Sequence, residues 1–132
     1  LIPDAQTFAA LRAFAPALAP NAHCTIIHSK AQLPADLRLP KWREYPFDIR
    51  AASAGLDTFG GLRKVRVLKF QRNARLDHLR EEAKQLLLDQ QPSILASATW
   101  SFNPHVTLGG ADAQLVGDSP ALLRFDRMEW RP

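Results

Sequence analysis

Residues 22–28 read Ala22-His23-Cys24-Thr25-Ile26-Ile27-His28, a β-branched run in which polar and apolar side chains alternate. Successive side chains on a strand point to opposite faces. His23, Thr25 and Ile27 therefore belong to one face, and Cys24 and Ile26 to the other. The same lettering returns at His105-Val106-Thr107-Leu108, which Gly109-Gly110 closes. Each tripeptide falls on a predicted short strand and leads into apolar residues. Two of the four histidines of the chain sit in this one pattern.

Outward from these strands, the first predicted element is a helix. Asp4 stands at the N-cap position, Phe8, Leu11 and Phe14 recur at helical spacing, and Pro16 and Pro20 end the run. Prolines at 34, 40 and 46 mark residues 30–46 as a loop or excursion. Phe47 to Ala52 reads as a short strand. Gly60-Gly61 reads as a tight turn that joins Leu56–Phe59 to a strand over Leu62–Phe70. Between Arg75 and Gln91, the residues Leu76, Leu79, Ala83, Leu86 and Leu87 form an apolar helical stripe, with Glu81, Glu82 and Lys84 off it. Trp100 to Pro104 lead into the His105 strand, and a last strand is expected over Leu122–Trp130. This order predicts an α+β fold with antiparallel sheets and a helix packed on each.

At 132 residues and 46% hydrophobic, the chain builds one core and is too short for two, so residues 1–132 are read as a single domain. Its longest apolar runs, such as Leu86-Leu87-Leu88, fall far short of a bilayer span, and no charged-then-apolar leader opens it. The expectation is a protein away from the membrane. A chain opening on Leu1 and stopping at Arg131-Pro132 leads us to expect neighbouring sequence on either side. The single cysteine, Cys24, excludes an internal disulfide framework and a cysteine-based zinc cluster, which fits a reducing cytoplasm. A formal charge of +4 favours polyanionic partners such as nucleotides or RNA.

Placed side by side, an imidazole and a hydroxyl grip a phosphate. Two such pairs on neighbouring strands would surround one phosphodiester with the catalytic candidates His23, Thr25, His105 and Thr107. One neutral histidine takes a proton from the attacking hydroxyl while its protonated partner delivers one to the leaving oxygen, workable near neutral pH because imidazole titrates there. Thr25 and Thr107 would donate to the non-bridging oxygens and stabilise the charge that builds up in transfer. The scheme calls for no metal and no cofactor.

With its two motifs reading HCT and HVT, the chain resembles the 2H phosphoesterase superfamily, which holds the LigT-like RNA ligases and cyclic phosphodiesterases. The resemblance implies a two-lobed fold, each lobe an antiparallel sheet with a helix, and a central cleft that takes one motif from each lobe. The stretch FNPHVTLGG (residues 102–110) and the charged helix after LRKVRVLKF (residues 62–70) look most like the compact phage nucleases that degrade cyclic oligonucleotide immune signals (anti-CBASS). That likeness implies attack of a ribose 2′-hydroxyl on the adjacent 3′-phosphate, with a 2′,3′-cyclic phosphate as intermediate or product. It implies a nucleotide or cyclic oligonucleotide as substrate, in the host cytoplasm. Against the family pattern, no strand is evident before the first helix.

Other residues carry weaker signals. Phe59, beside the Gly-Gly turn, and Trp130 are candidates for base stacking, and Glu129 for accepting from a base edge. Trp100 and Phe102 are read as core. His28 faces away from His23, and His78 lies on the exposed side of a helix, so neither is counted as catalytic. Arg63, Lys64 and Arg66 read as a solvated face. Two other readings use the same four residues: a LigT-like 2′–5′ RNA ligase acting on RNA ends, and a module that sequesters a nucleotide without turnover. The first reading predicts that cleavage of a nucleotide phosphodiester persists in excess EDTA. Loss of turnover on chelation, restored by a divalent metal, would overturn it.

Overall fold

The first helix begins where the sequence predicts. Asp4 has extended backbone (φ −67°, ψ 169°), and its carboxylate accepts from the Thr7 N–H at 2.8 Å, which satisfies one of the amides a helix start leaves unpaired. Helix α1 then runs Ala5–Phe14. Its buried face is Thr7, Leu11 and Phe14, with Phe8 packed at the margin, so the apolar stripe is rotated to admit a threonine. The reason is a bond: Thr7 Oγ1 accepts from the Arg124 N–H at 3.0 Å, while the Asp4 N–H donates to the Arg124 carbonyl at 2.9 Å. Both contacts tie the helix start to the last strand.

The computed structural model describes residues 1–29, 36, 38, 47–59, 64–70, 74–92, 98–99 and 103–129. Five antiparallel strands form the main sheet in the order β1 (Ile2–Pro3), β7 (Leu122–Arg127), β3 (Phe47–Phe59), β4 (Val65–Phe70) and β6 (His105–Gly110). Strands β2 (His28–Ser29) and β5 (Ala98–Thr99) make a separate antiparallel pair, and α2 spans Ala74–Gln90. The class is α+β with antiparallel sheets and two helices. Among the described residues, no helix is long and apolar enough to cross a membrane.

Four expectations need correction. The strand predicted over residues 22–28 pairs only at Cys24, in an isolated bridge, before β2 starts at His28, and it bends at Ile26. A turn immediately ahead of it, closed by the Ala22 N–H to the Ala19 carbonyl at 3.1 Å, limits its pairing length. The two strands expected over 47–52 and 56–59 are one strand, β3, whose first residues pair with β7 and whose later ones pair with β4. Its middle, Ala51-Ala52-Ser53-Ala54-Gly55, has none of the β-branched signal that marks a strand, and the register is irregular there. A strand does precede the first helix: Ile2–Pro3 pairs with β7. Two residues are too short for periodicity to reveal. The last strand also stops at Arg127, and the Gly60-Gly61 turn and Trp130 lie outside the described residues.

The core joins both helices to one face of the sheet. Leu11 and Phe14 of α1 and Leu76, Leu79 and Ala83 of α2 meet Leu68, Val106, Leu108, Leu123 and Phe125 in one cluster. Phe125 is fully buried, with its ring tilted 59° against Phe70 at 5.8 Å between centroids. On the outer face of β7, Arg124 grips Asp48 of β3 through two hydrogen bonds of 2.8 and 3.2 Å, which hold the Asp48 carboxyl below its usual range. Arg124 is exposed and Asp48 half-buried at the surface, so this pair sets register more than stability.

Hydrogen bonds also close a circuit. The Leu1 nitrogen donates to the Cys24 carbonyl at 2.7 Å, and the Cys24 N–H donates to the Leu1 carbonyl at 2.9 Å. Cys24 bridges Val106 of β6, and the residues after Leu1 pair with β7. The two ends of the five-stranded sheet are thereby joined through Cys24. Because Phe125 of β7 is fully buried in the core shared by the sheet and both helices, Phe125→Ala is expected to cost about 3–5 kcal/mol, a large part of a small domain's margin. Urea denaturation checks this, and a loss under 1 kcal/mol would contradict the core assignment.

Candidate active site

The isolated bridge between Cys24 and Val106 is antiparallel. Antiparallel register sets His23 across from Thr107 and Thr25 across from His105, so each imidazole faces the hydroxyl of the other motif. Exposure repeats residue by residue. From Asn21 to Ile27 and from Asn103 to Gly109, the order is exposed, buried, half-buried, buried, exposed, buried, half-buried. Cys24 and Val106 are both completely buried, which anchors the two motif strands in the core and turns both His-x-Thr pairs outward.

All four residues line one cavity of about 190 Å³, together with Asn21, Gly109 and the alanines at 17, 19 and 22. No Lys, Arg, Asp or Glu is among these lining residues. The small side chains follow from how the wall is built, since the segment leaving α1 passes directly over β6. Gly109 has φ +151°, and a Cβ there would lie 2.8 Å from the Ala113 Cβ and 3.4 Å from the Ala17 Cβ. Only glycine allows that approach. It sits beside an irregularity in the β4–β6 register, where β6 carries one residue more than its partner.

Both imidazoles are held in the same way. His23 Nδ1 lies 2.9 Å from the Asn21 carbonyl and His105 Nδ1 lies 2.6 Å from the Asn103 carbonyl. A carbonyl only accepts, so Nδ1 carries the proton in both rings. A neutral ring then offers a basic Nε2, and a protonated ring offers an acidic Nε2–H. This support was missed in the sequence, although its signal is present: Asn stands two residues before each histidine, so the repeat is Asn-x-His-x-Thr. The bond uses the main-chain oxygen and does not itself demand Asn.

Cys24, between His23 and Thr25, is not a nucleophile. Burial pushes its thiol up to about 11, against the lowering effects of the Leu1 amino group and a hydrogen bond from the His105 backbone. It stays neutral at physiological pH and packs as a small apolar residue. Among the described residues, no three His, Cys, Asp or Glu side chains are grouped to hold a metal ion.

The remaining candidates lie elsewhere. Phe59 ends β3 opposite Val65, whose other neighbour is Gly110, one strand from the end of β6. Glu129 is exposed beyond β7, accepts from Arg127 Nε at 3.2 Å and does not line the cavity. Trp130, Trp100, Phe102 and Arg63 lie outside the described residues. His28 opens β2 opposite Thr99, and His78 is exposed on α2 beside Glu82 at 3.1 Å. Lys64 is exposed, and Arg66 donates to the Ala113 carbonyl at 2.9 Å, bracing the turn after β6.

Comparison with protein-family models, with curated proteins and with solved structures finds no match to this chain. The geometry makes its own prediction. At high pH both His23 and His105 should show the Nδ1–H tautomer in ¹⁵N NMR, whereas an exposed histidine such as His78 should favour Nε2–H. A majority of Nε2–H in either cavity ring would refute the carbonyl contacts.

Proposed function

We propose that the protein is a metal-independent phosphodiesterase of the 2H phosphoesterase kind, with its two lobes meeting at the Cys24–Val106 bridge. Its substrates would be nucleotide phosphodiesters: cyclic oligonucleotide messengers, as for the phage anti-CBASS nucleases, or 2′,3′-cyclic phosphates. What supports the reading is one observation: the bridge brings both His-x-Thr pairs to a single cavity, each imidazole fixed through Nδ1.

In the proposed reaction the phosphate sits between the imidazoles, with its non-bridging oxygens accepting from the Thr25 and Thr107 hydroxyls. One Nε2 removes the proton of the ribose 2′-hydroxyl, the O2′–P bond forms and the P–O5′ bond breaks. The other Nε2–H protonates the departing O5′. The products are a 2′,3′-cyclic phosphate and a 5′-hydroxyl, and one proton has moved net from the acid histidine to the base. Because the register relates the two motifs by an approximate two-fold axis through the bridge, substrate orientation rather than wiring assigns the roles. Hydrolysis of the cyclic product runs the same relay with water as nucleophile. The cytoplasm, where such nucleotides occur, is the proposed location.

The test is incubation with cyclic dinucleotides, cyclic trinucleotides and 2′,3′-cyclic nucleotides in EDTA, with products resolved by mass. His23→Ala and His105→Ala are each expected to lower kcat by about 10²–10⁴, and Thr25→Val or Thr107→Val by about 10–10². Full turnover in either histidine variant would sink the proposal. Bound but intact ligands would point to sequestration, and a 2′–5′ joined product to ligation.

A further inference from the structure

We infer that Lys69 forms a second anion position beside His105, so that the cavity serves an oligonucleotide carrying a further phosphate next to the one being cleaved. This rests on the phosphodiesterase reading and chooses within it, favouring oligonucleotides over mononucleotide cyclic phosphates.

The placement comes from register. Lys69 of β4 is directly opposite His105 of β6, and Val67 is opposite Thr107. Residues opposite one another on antiparallel strands share a face, with Cβ atoms roughly 4.5–5.5 Å apart. The two faces of this pair are distinct. Leu68, Phe70, Val106 and Leu108 belong to the core cluster, while Val67, though fully buried, lies outside it. Lys69 thus stands on the strand face shared with His105 and Thr107, half-buried, with its Cα opposite that of His105. A half-buried lysine lays its stem along the sheet and carries its ammonium outward.

Charge and size say what that ammonium is for. Among the described residues that line the cavity, none is charged other than the imidazoles, and the relay needs only one of those protonated, so this lining matches the single charge of one phosphodiester. Its volume, about 190 Å³, is below the roughly 300–1,000 Å³ that encloses a drug-sized ligand. An oligonucleotide must therefore extend past its rim, and on the β4 side the strand next to His105 presents Lys69. A compact charge on a flexible stem accepts a phosphate without demanding one bidentate geometry.

The experiment measures binding of UpU, 5′-phosphorylated pUpU and 3′-phosphorylated UpUp to the His23→Ala protein, so that nothing is consumed. One of the two phosphorylated ligands should bind about tenfold tighter than UpU. Lys69→Met, which keeps the apolar stem, should abolish that gain and flatten the plot of log affinity against log salt by about 0.7. Lys69→Arg should restore both. Absence of any gain, or a gain that survives in Lys69→Met, overturns the inference. Cleavage of UpU by the unsubstituted protein is scored separately. Cleavage without a phosphate-dependent gain removes only Lys69, whereas a Lys69-dependent gain without cleavage removes only the catalytic reading.

Discussion

One antiparallel bridge, Cys24 to Val106, is the constraint on which the site depends. Two completely buried side chains, a thiol and an isopropyl group, fix two short extended segments in the same core. Because side chains alternate, burying the middle residue of each tripeptide forces its histidine and threonine outward. Leu1 pairs with the other edge of Cys24, so the segment is held on both sides and cannot slip by one residue. A slip of one would bury His23 and Thr25 and expose Cys24 and Ile26.

That constraint explains the symmetry of the cavity. Both imidazoles receive the same support from a carbonyl two residues upstream, and the bridge register sets each threonine across from the other motif's histidine. In the proposed reaction, this shared support would let the two Nε2 groups trade the acid and base roles from one step to the next. The small wall residues and Gly109 let the segment after α1 close over β6.

Much of the secondary structure was legible because its signals are local. Asp4 is a capping residue with an amide to satisfy three positions on, and the Leu76-to-Leu87 stripe follows the helical period over about three turns. The alternation over residues 23–27 placed Cys24 and Ile26 on one face, and both are buried while His23, Thr25 and Ile27 are not, even though most of that segment makes no ladder. Elements lacking a local signal were not legible. Ile2–Pro3 is a strand only because β7 offers it an edge, and Ala51 to Gly55 extend β3 only because its two flanks pair with different neighbours. Thr7 on the buried face of α1 is explained by the Arg124 amide, which no helical period encodes.

By itself the sequence determined the two His-x-Thr pairs, their outward faces and the Asn-x-His-x-Thr repeat around them, since alternation and spacing are properties of a single strand. The tertiary structure alone decided that the pairs converge on one cavity, that Lys69 stands beside His105, and that Glu129 lies away from it. Those outcomes depend on strand register and on hydrogen bonds between residues far apart in the chain. Such bonds form only when buried side chains such as Cys24 and Val106 choose their partners.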